Sequence, residues 1–254
     1  MILAIDIGNT NIVLGCLDGK KIIFRERIST KQWATDIEYA STIKMALDMN
    51  DVKREYIEGA IISSVVPLVT AVIKKAVEKY VGVDVKVVGP GIKTGISIMI
   101  DNPAQLGSDL VVDAVAGVSE YPVPLIIIDM GTATTLSVID KNRNYIGGVI
   151  TTGVAVSTEA LANRTSQLPR IAFEIPRKVI GSNTVDCMKS GIMYSAACSI
   201  DGIVERMEEE LGEKCTVVAT GGLASSIIPL CKRDIILDDD LLLKGLMILY
   251  NKNK

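Results

Sequence analysis

The chain has 254 residues, 48% of them hydrophobic but only 4% aromatic, so a sizeable core must be built mainly from Ile, Val, Leu, Ala and Met, as in sheets flanked by helices. A net charge of -3 with both signs interspersed offers no basic face for phosphates, so no nucleic-acid partner is expected. Histidine is absent, which excludes His triads, His-ligated zinc and His general bases and leaves proton abstraction to Asp, Glu, Lys, Tyr or Cys.

Met1 to Ala4 enters the first strand without a basic leader, and no apolar run approaches membrane-spanning length, so a cytoplasmic protein without a membrane partner is expected. The five cysteines are odd in number, contain no Cys-x-x-Cys pair and fall in apolar stretches; they read as buried, reduced thiols.

Along the chain, a strand at 2–6 is followed by strands at 11–17 and 21–29, joined at Asp18-Gly19, a strong hairpin signal. The spacing predicts a helix over 36–49, a buried strand over 58–66, a helix from Pro67 to about Tyr80 and a strand at 84–88. A Gly/Pro-rich loop at 89–95 precedes a helix from about Ser108 to Val118. The order then repeats: strands at 125–129, 134–140 and 145–151, and a helix over 153–163. Residues 164–182 read as irregular, 183–211 as one long or broken helix, 215–219 as a strand, and 222–230 and 239–250 as helices. The expected division is an N-terminal domain, 1–117, and a C-terminal domain, 118–254.

Two segments carry this duplication. Ile2 to Asp6 breaks into Ile7-Gly8-Asn9-Thr10-Asn11, and Leu125 to Asp129 breaks into Met130-Gly131-Thr132-Ala133-Thr134. In each, a buried strand delivers an Asp to its end, and a Gly two residues later lets the backbone approach a ligand. The carboxylates of Asp6 and Asp129 can hold a cation or orient phosphates, and the amides that follow can receive phosphate oxygens. One such loop alone is more often an ordinary turn; two, each leading into an apolar run, point to two similar halves around one nucleotide. Thr220-Gly221-Gly222 offers a place for an adenine or ribose to rest. Asp109, in Gly107-Ser108-Asp109-Leu110 at a helix start, reads by itself as an N-cap carboxylate kept ionised by backbone amides. As an isolated feature it is more an N-cap than a catalyst, but in a chain with no histidine it is a candidate to accept a hydroxyl proton in phosphoryl transfer. Asn183 or Thr184 can cap the long helix or reach a polar ligand.

Taken in order, Asp6-Ile-Gly-Asn-Thr10, Asp101-Asn-Pro103 with Gly107-Ser-Asp109, Asp129-Met-Gly-Thr-Ala133, Gly147-Gly148, Ile180-Gly-Ser-Asn-Thr184, Ile200-Asp-Gly202 and Ala219-Thr-Gly-Gly-Leu-Ala224 resemble type III pantothenate kinases across essentially the whole chain. The resemblance implies an α/β fold of duplicated ribonuclease H-like (actin-like ATPase) domains with an ATP cleft between them. It implies phosphorylation of pantothenate by ATP with Mg2+, the first step toward coenzyme A, in a homodimer. On this resemblance Asp6, Ile7, Gly8, Asn9, Thr10, Asn11, Ile12, Val13 and Thr132 bind ATP, and Asp109 is the general base. Gly107, Ser108, Asp109, Leu110 and Thr184 line the pantothenate site, and Asp129 holds a monovalent cation, K+ or NH4+.

Three positions depart from the family pattern: Leu110 stands where Arg is usual, Ile100 where Tyr is usual and Thr152 where Pro is usual. The first matters most, because a guanidinium can grip the pantothenate carboxylate bidentately and Leu cannot. Lys93 or a backbone amide is a candidate replacement. A kinase for another small hydroxy acid and a non-catalytic ATP-binding regulator are the competing readings.

Overall fold

The computed structural model describes residues 1–254. The chain packs as two units: Met1–Ile96 with Asp101–Ser119 and Asp240–Lys254, and Ser97–Ile100 with Glu120–Asp239.

The first unit is a five-stranded sheet. Strands β1 (Ile2–Ile7), β2 (Asn11–Asp18) and β3 (Lys21–Ser29) form an antiparallel meander, and β4 (Gly59–Ser64) and β5 (Val85–Val87) extend it in parallel, in the order β3-β2-β1-β4-β5. Helix α1 (Asp36–Met49) and helix α2 (Pro67–Tyr80) cover one face. Thr35 and Glu38 close a capping box at the start of α1, and Pro67 opens α2 at a position where its missing N–H costs nothing. Alternation sorts the strand residues: Leu3, Ile5 and Ile7 pack with α1 and α2, whereas Ile2 and Ala4 face the opposite cluster.

That opposite cluster is supplied by α3 (Ser108–Glu120) and the last helix, α7 (Leu241–Lys252), through Val112, Val115, Leu243, Leu246 and Leu249. The closing helix, read from sequence within the second half, therefore completes the core of the first. An amphipathic stripe demands a partner face without saying which sheet provides it.

The second unit repeats the plan. Strands β7 (Leu125–Met130), β8 (Ala133–Ile139) and β9 (Asn144–Thr152) form the meander, and β10 (Thr216–Thr220) and β11 (Ile236–Leu237) continue it in parallel. The order β9-β8-β7-β10-β11 matches β3-β2-β1-β4-β5 strand for strand, with one addition: β6 (Ser97–Ile98) pairs with β9. That two-residue strand lies just past the loop read at 89–95 and was not anticipated. Helix α4 (Val154–Arg164) and the 28-residue α5 (Thr184–Leu211) flank this sheet, separated by an irregular stretch as expected. The single helix expected over 222–230 is instead α6 (Ala224–Ile227) followed by a 3-10 turn at Ile228–Leu230, because Pro229 cannot donate to an α-helical ladder.

Near the end of α5, Glu208 is buried and pairs with Arg233 Nη2 and Lys214 Nζ, both at 2.8 Å, while the Cys215 amide donates to it at 3.1 Å. The cysteines are all free thiols, but only Cys16 is buried; Cys187 and Cys198 lie exposed on α5 and Cys215 and Cys231 are half-buried. Apolar neighbours in sequence set the expectation of burial, and the outward helix face at Cys187 and Cys198 overturns it. No helix is long and apolar enough to cross a membrane.

Candidate active site

In the first unit the phosphate-loop candidate is the tight connection between β1 and β2. Asp6 is half-buried at the end of β1, opposite Val13 on one neighbouring strand and Ser63 on the other. The Gly8 amide donates to the Asn11 carbonyl at 3.0 Å, closing the loop. Asn9, Thr10 and Asn11 are exposed at the tip of this connection. Ile7 and Ile12 point into the core, and Val13 packs on the opposite cluster; these three can offer a ligand their backbone only.

Asp109 reaches the same edge of this sheet by a route that sequence reading missed. Ser64 ends β4, the strand beside β1, and its amide donates to Ser108 Oγ at 2.9 Å while Ser108 Oγ donates back to the Ser64 carbonyl at 2.9 Å. The Ser63 hydroxyl lies 3.1 Å from Ser108 Oγ, and Thr70 Oγ1, on α2, donates to Ser64 Oγ at 2.6 Å. Ser108 is thereby engaged by protein, and its work is to pin the first turn of α3. The signal was present as a Ser-Ser pair closing a buried strand. Asp109 follows within that turn, half-buried, its Oδ1 accepting from the Leu110 amide at 2.9 Å. A Cβ at Gly107 would crowd the Asp109 carboxylate, which would have to turn aside. Burial pushes the Asp109 carboxyl above its ordinary value, and the Leu110 and Asp109 amides offset only part of the rise. The amides act in the direction expected, but burial outweighs them.

Lys93 is not near this edge. Its amide donates to Asn253 Oδ1 at 2.9 Å and its carbonyl accepts from Asn253 Nδ2 at 3.1 Å, just past the end of α7. Tyr250, one turn earlier, lies against Gly59 at the start of β4, the opposite end of the strand from Ser64. As a stand-in for the missing Arg, Lys93 is thus poorly placed.

In the second unit Asp129 is half-buried at the end of β7, opposite Thr135 and Thr220 in the same relation that Asp6 holds to Val13 and Ser63. Gly221 follows Thr220 with φ +97°, and a side chain there would strike the Met130 amide and the Asp129 carboxylate. The backbone after β10 thus closes directly over Asp129. Thr132 is exposed at the tip of the β7–β8 loop, and its carbonyl accepts from the Gly153 amide at 3.1 Å, tying the loop to the start of α4. Asn183, rather than Thr184, caps α5: its Oδ1 accepts from the Asp186 amide at 2.9 Å. Thr184 is left exposed along an open cavity of about 790 Å3 that it shares with Ser157 and Leu161 of α4 and Ser182. No group of three or more Cys, Asp or Glu side chains forms a metal cage.

Two sheets of one strand order, each presenting an Asp and a Gly-containing hairpin at equivalent strand ends, define the actin-like ATPase fold. The fold is shared with solved structures of low identity. One is an activator of the 2-hydroxyisocaproyl-CoA dehydratase from Clostridium difficile with bound ADPNP, at TM-score 0.57 and 17% identity over 99% of this chain and 94% of that one. Another is component A of the Acidaminococcus fermentans (R)-2-hydroxyglutaryl-CoA dehydratase, at TM-score 0.57 and 16% identity over 100% and 99%. A type III pantothenate kinase family model matches residues 2–206. Type III pantothenate kinases of Exiguobacterium sp. and Halalkalibacterium halodurans are 46% and 43% identical to this chain, over the full length of both partners in each case. The chain belongs to the type III pantothenate kinase family.

Proposed function

We propose that this chain transfers the γ-phosphoryl group of ATP to the primary hydroxyl of pantothenate, giving 4'-phosphopantothenate in the first step of coenzyme A biosynthesis. The observation that carries the mechanism is Asp109, locked by Ser108 to the strand beside the one that ends in Asp6, on the edge that bears the Gly8–Asn11 loop. Phosphoryl transfer asks for little covalent chemistry: phosphates must be positioned, their charge neutralised and the acceptor's proton removed. Residues 6–13 and Thr132 bind ATP, its Mg2+ riding on the phosphates. Asp109 takes the proton from the pantothenate hydroxyl, and Gly107 through Leu110 with Thr184 contact the acceptor.

Asp129 holds a monovalent cation, K+ or NH4+, an assignment supported by its half-buried carboxylate beneath the Gly221 backbone. A homodimer is supported by the exposed apolar side chains Leu161, Ile175, Val179, Ile180 and Val185 on α4, the segment after it and the start of α5. The setting is the cytoplasm, in keeping with five unpaired thiols.

The reading is tested by ADP release with pantothenate and a panel of similar hydroxy acids, with and without potassium. Turnover with pantothenate that rises on adding potassium is expected. Turnover with another acid alone would reassign the substrate, and an unchanged rate without potassium would remove the cation from Asp129. Leu110→Arg is expected to lower the KM for pantothenate about tenfold, the order of one charge-assisted hydrogen bond gained at a half-buried site, with little change in the KM for ATP.

A further inference from the structure

The carboxyl edge of the first sheet carries one more element. Because β3 runs antiparallel to β2 and pairs Ser29 with Asn11, its end reaches the same edge as the Gly8–Asn11 loop. The sheet order puts these features in a row: the segment after β3, the β1–β2 loop, then the β4 end that holds Asp109. In-line transfer sets the attacking and leaving oxygens on opposite sides of phosphorus. Asp109 stands at one end of this row and the segment after β3 at the other, beyond the β1–β2 loop.

That segment is tied to the loop and held rigid. The Thr30 amide donates to the Thr10 carbonyl at 3.0 Å, and Thr30 Oγ1 donates to the Gly8 carbonyl at 2.7 Å. The buried Tyr39 hydroxyl accepts from the Lys31 amide at 3.0 Å and donates to the Lys31 carbonyl at 2.9 Å. Both backbone groups of Lys31 are spent inward while its side chain is exposed. Trp33, the chain's single tryptophan, is 92% exposed, so it contributes almost nothing to the core. Lys31 and Trp33 line a cavity of about 520 Å3 with Asn9 of the phosphate loop and Glu38. Glu38 Oε2 accepts from the Thr35 amide and hydroxyl at 2.8 Å each, and its charge also lies within electrostatic reach of Lys31.

We propose that Thr30–Ala34 is a further nucleotide-binding element, in which Lys31 Nζ pairs with oxygens of the phosphates that leave as ADP and the Trp33 indole shields them from water. It rests on the reading of Gly8–Asn11 as the phosphate loop.

The test uses the full-length protein, MgADP and pantothenate, with tryptophan emission and calorimetry read in parallel on wild type, Lys31→Gln and Lys31→Arg. Emission should change on saturation with MgADP and not with pantothenate alone. Lys31→Gln should weaken ADP about tenfold, the order of a hydrogen bond to a charged group. Lys31→Arg should recover most of that loss, with the KM for pantothenate and the thermal melt unmoved in both variants. Calorimetric ADP binding with silent emission and an unaltered Kd in Lys31→Gln overturns the proposal and leaves the phosphate loop standing. Emission that answers pantothenate instead also overturns it, by moving the element to the acceptor side. A wild-type protein that binds neither ADP nor ATP removes the phosphate-loop reading and this proposal together.

Discussion

Asp109→Asn lowers kcat by about two to four orders of magnitude, the range for loss of a general base, and leaves the Kd for ATP nearly unchanged. Asn keeps the shape, and Ser108 still anchors the turn through its bonds to Ser64, so what disappears is the proton acceptor. The pH dependence follows from burial, which raises the Asp109 carboxyl. A base works only when ionised, so the acid limb of kcat in the wild type should lie above the ordinary carboxylate range and vanish in the variant. Stability runs the other way. A raised folded-state value favours the fold fully below the unfolded value of about 3.9, and that contribution is lost as pH rises through the folded value. Asp109→Asn escapes the loss, so at neutral pH it should unfold at the same urea concentration as wild type or a higher one. A near-normal rate in Asp109→Asn would take this residue out of the mechanism.

Glu208→Gln costs about 3 kcal/mol, at the low end for breaking a buried ion pair because the Arg233 side chain keeps 21% of its exposure. In a chain of this size that corresponds to a fall of roughly 6–12 °C in the melting of the second unit. Burial alone would raise the Glu208 carboxyl; the Arg233 and Lys214 side chains and the Cys215 amide outweigh it and bring the value down to about 2. The sign is that of a depressed acid: the stabilisation is complete above the ordinary value of 4.5 and is lost as pH falls through about 2. Chemical denaturation should therefore find a constant gap between wild type and variant from pH 6 to 8, closing in acid. Adding Arg233→Met to Glu208→Gln should recover part of the loss, since the damage is an uncompensated buried charge. A gap that persists unchanged at low pH would refute the ionic origin.

The sequence was most legible where the local chain is self-sufficient. Asp18-Gly19 turns the first hairpin, Pro67 starts α2, and the two Asp-ended strands emerge at matching positions in two sheets of one order. What stayed hidden depends on distant partners. Nothing in residues 241–252 announces that their apolar stripe covers β1 and β4. Ser97–Ile98 becomes a strand only because β9 offers its edge. At the site, an eight-residue ATP motif could be named as a block, yet alternation sends Ile7 and Ile12 into the core and leaves Asn9, Thr10 and Asn11 to meet a ligand. The Ser63, Ser64 and Ser108 contacts join residues more than forty positions apart, beyond the reach of any local pattern. The same holds for Trp33, whose exposure is set by a loop fastened through Tyr39.

The most direct measurement of the central claim is product identity. The protein is incubated with ATP, Mg2+, potassium and pantothenate, and the mixture is followed by mass spectrometry and phosphorus NMR. One 4'-phosphopantothenate should accumulate for each ADP, and none with Asp109→Asn on the same time scale. ADP appearing while pantothenate stays unmodified would contradict the account.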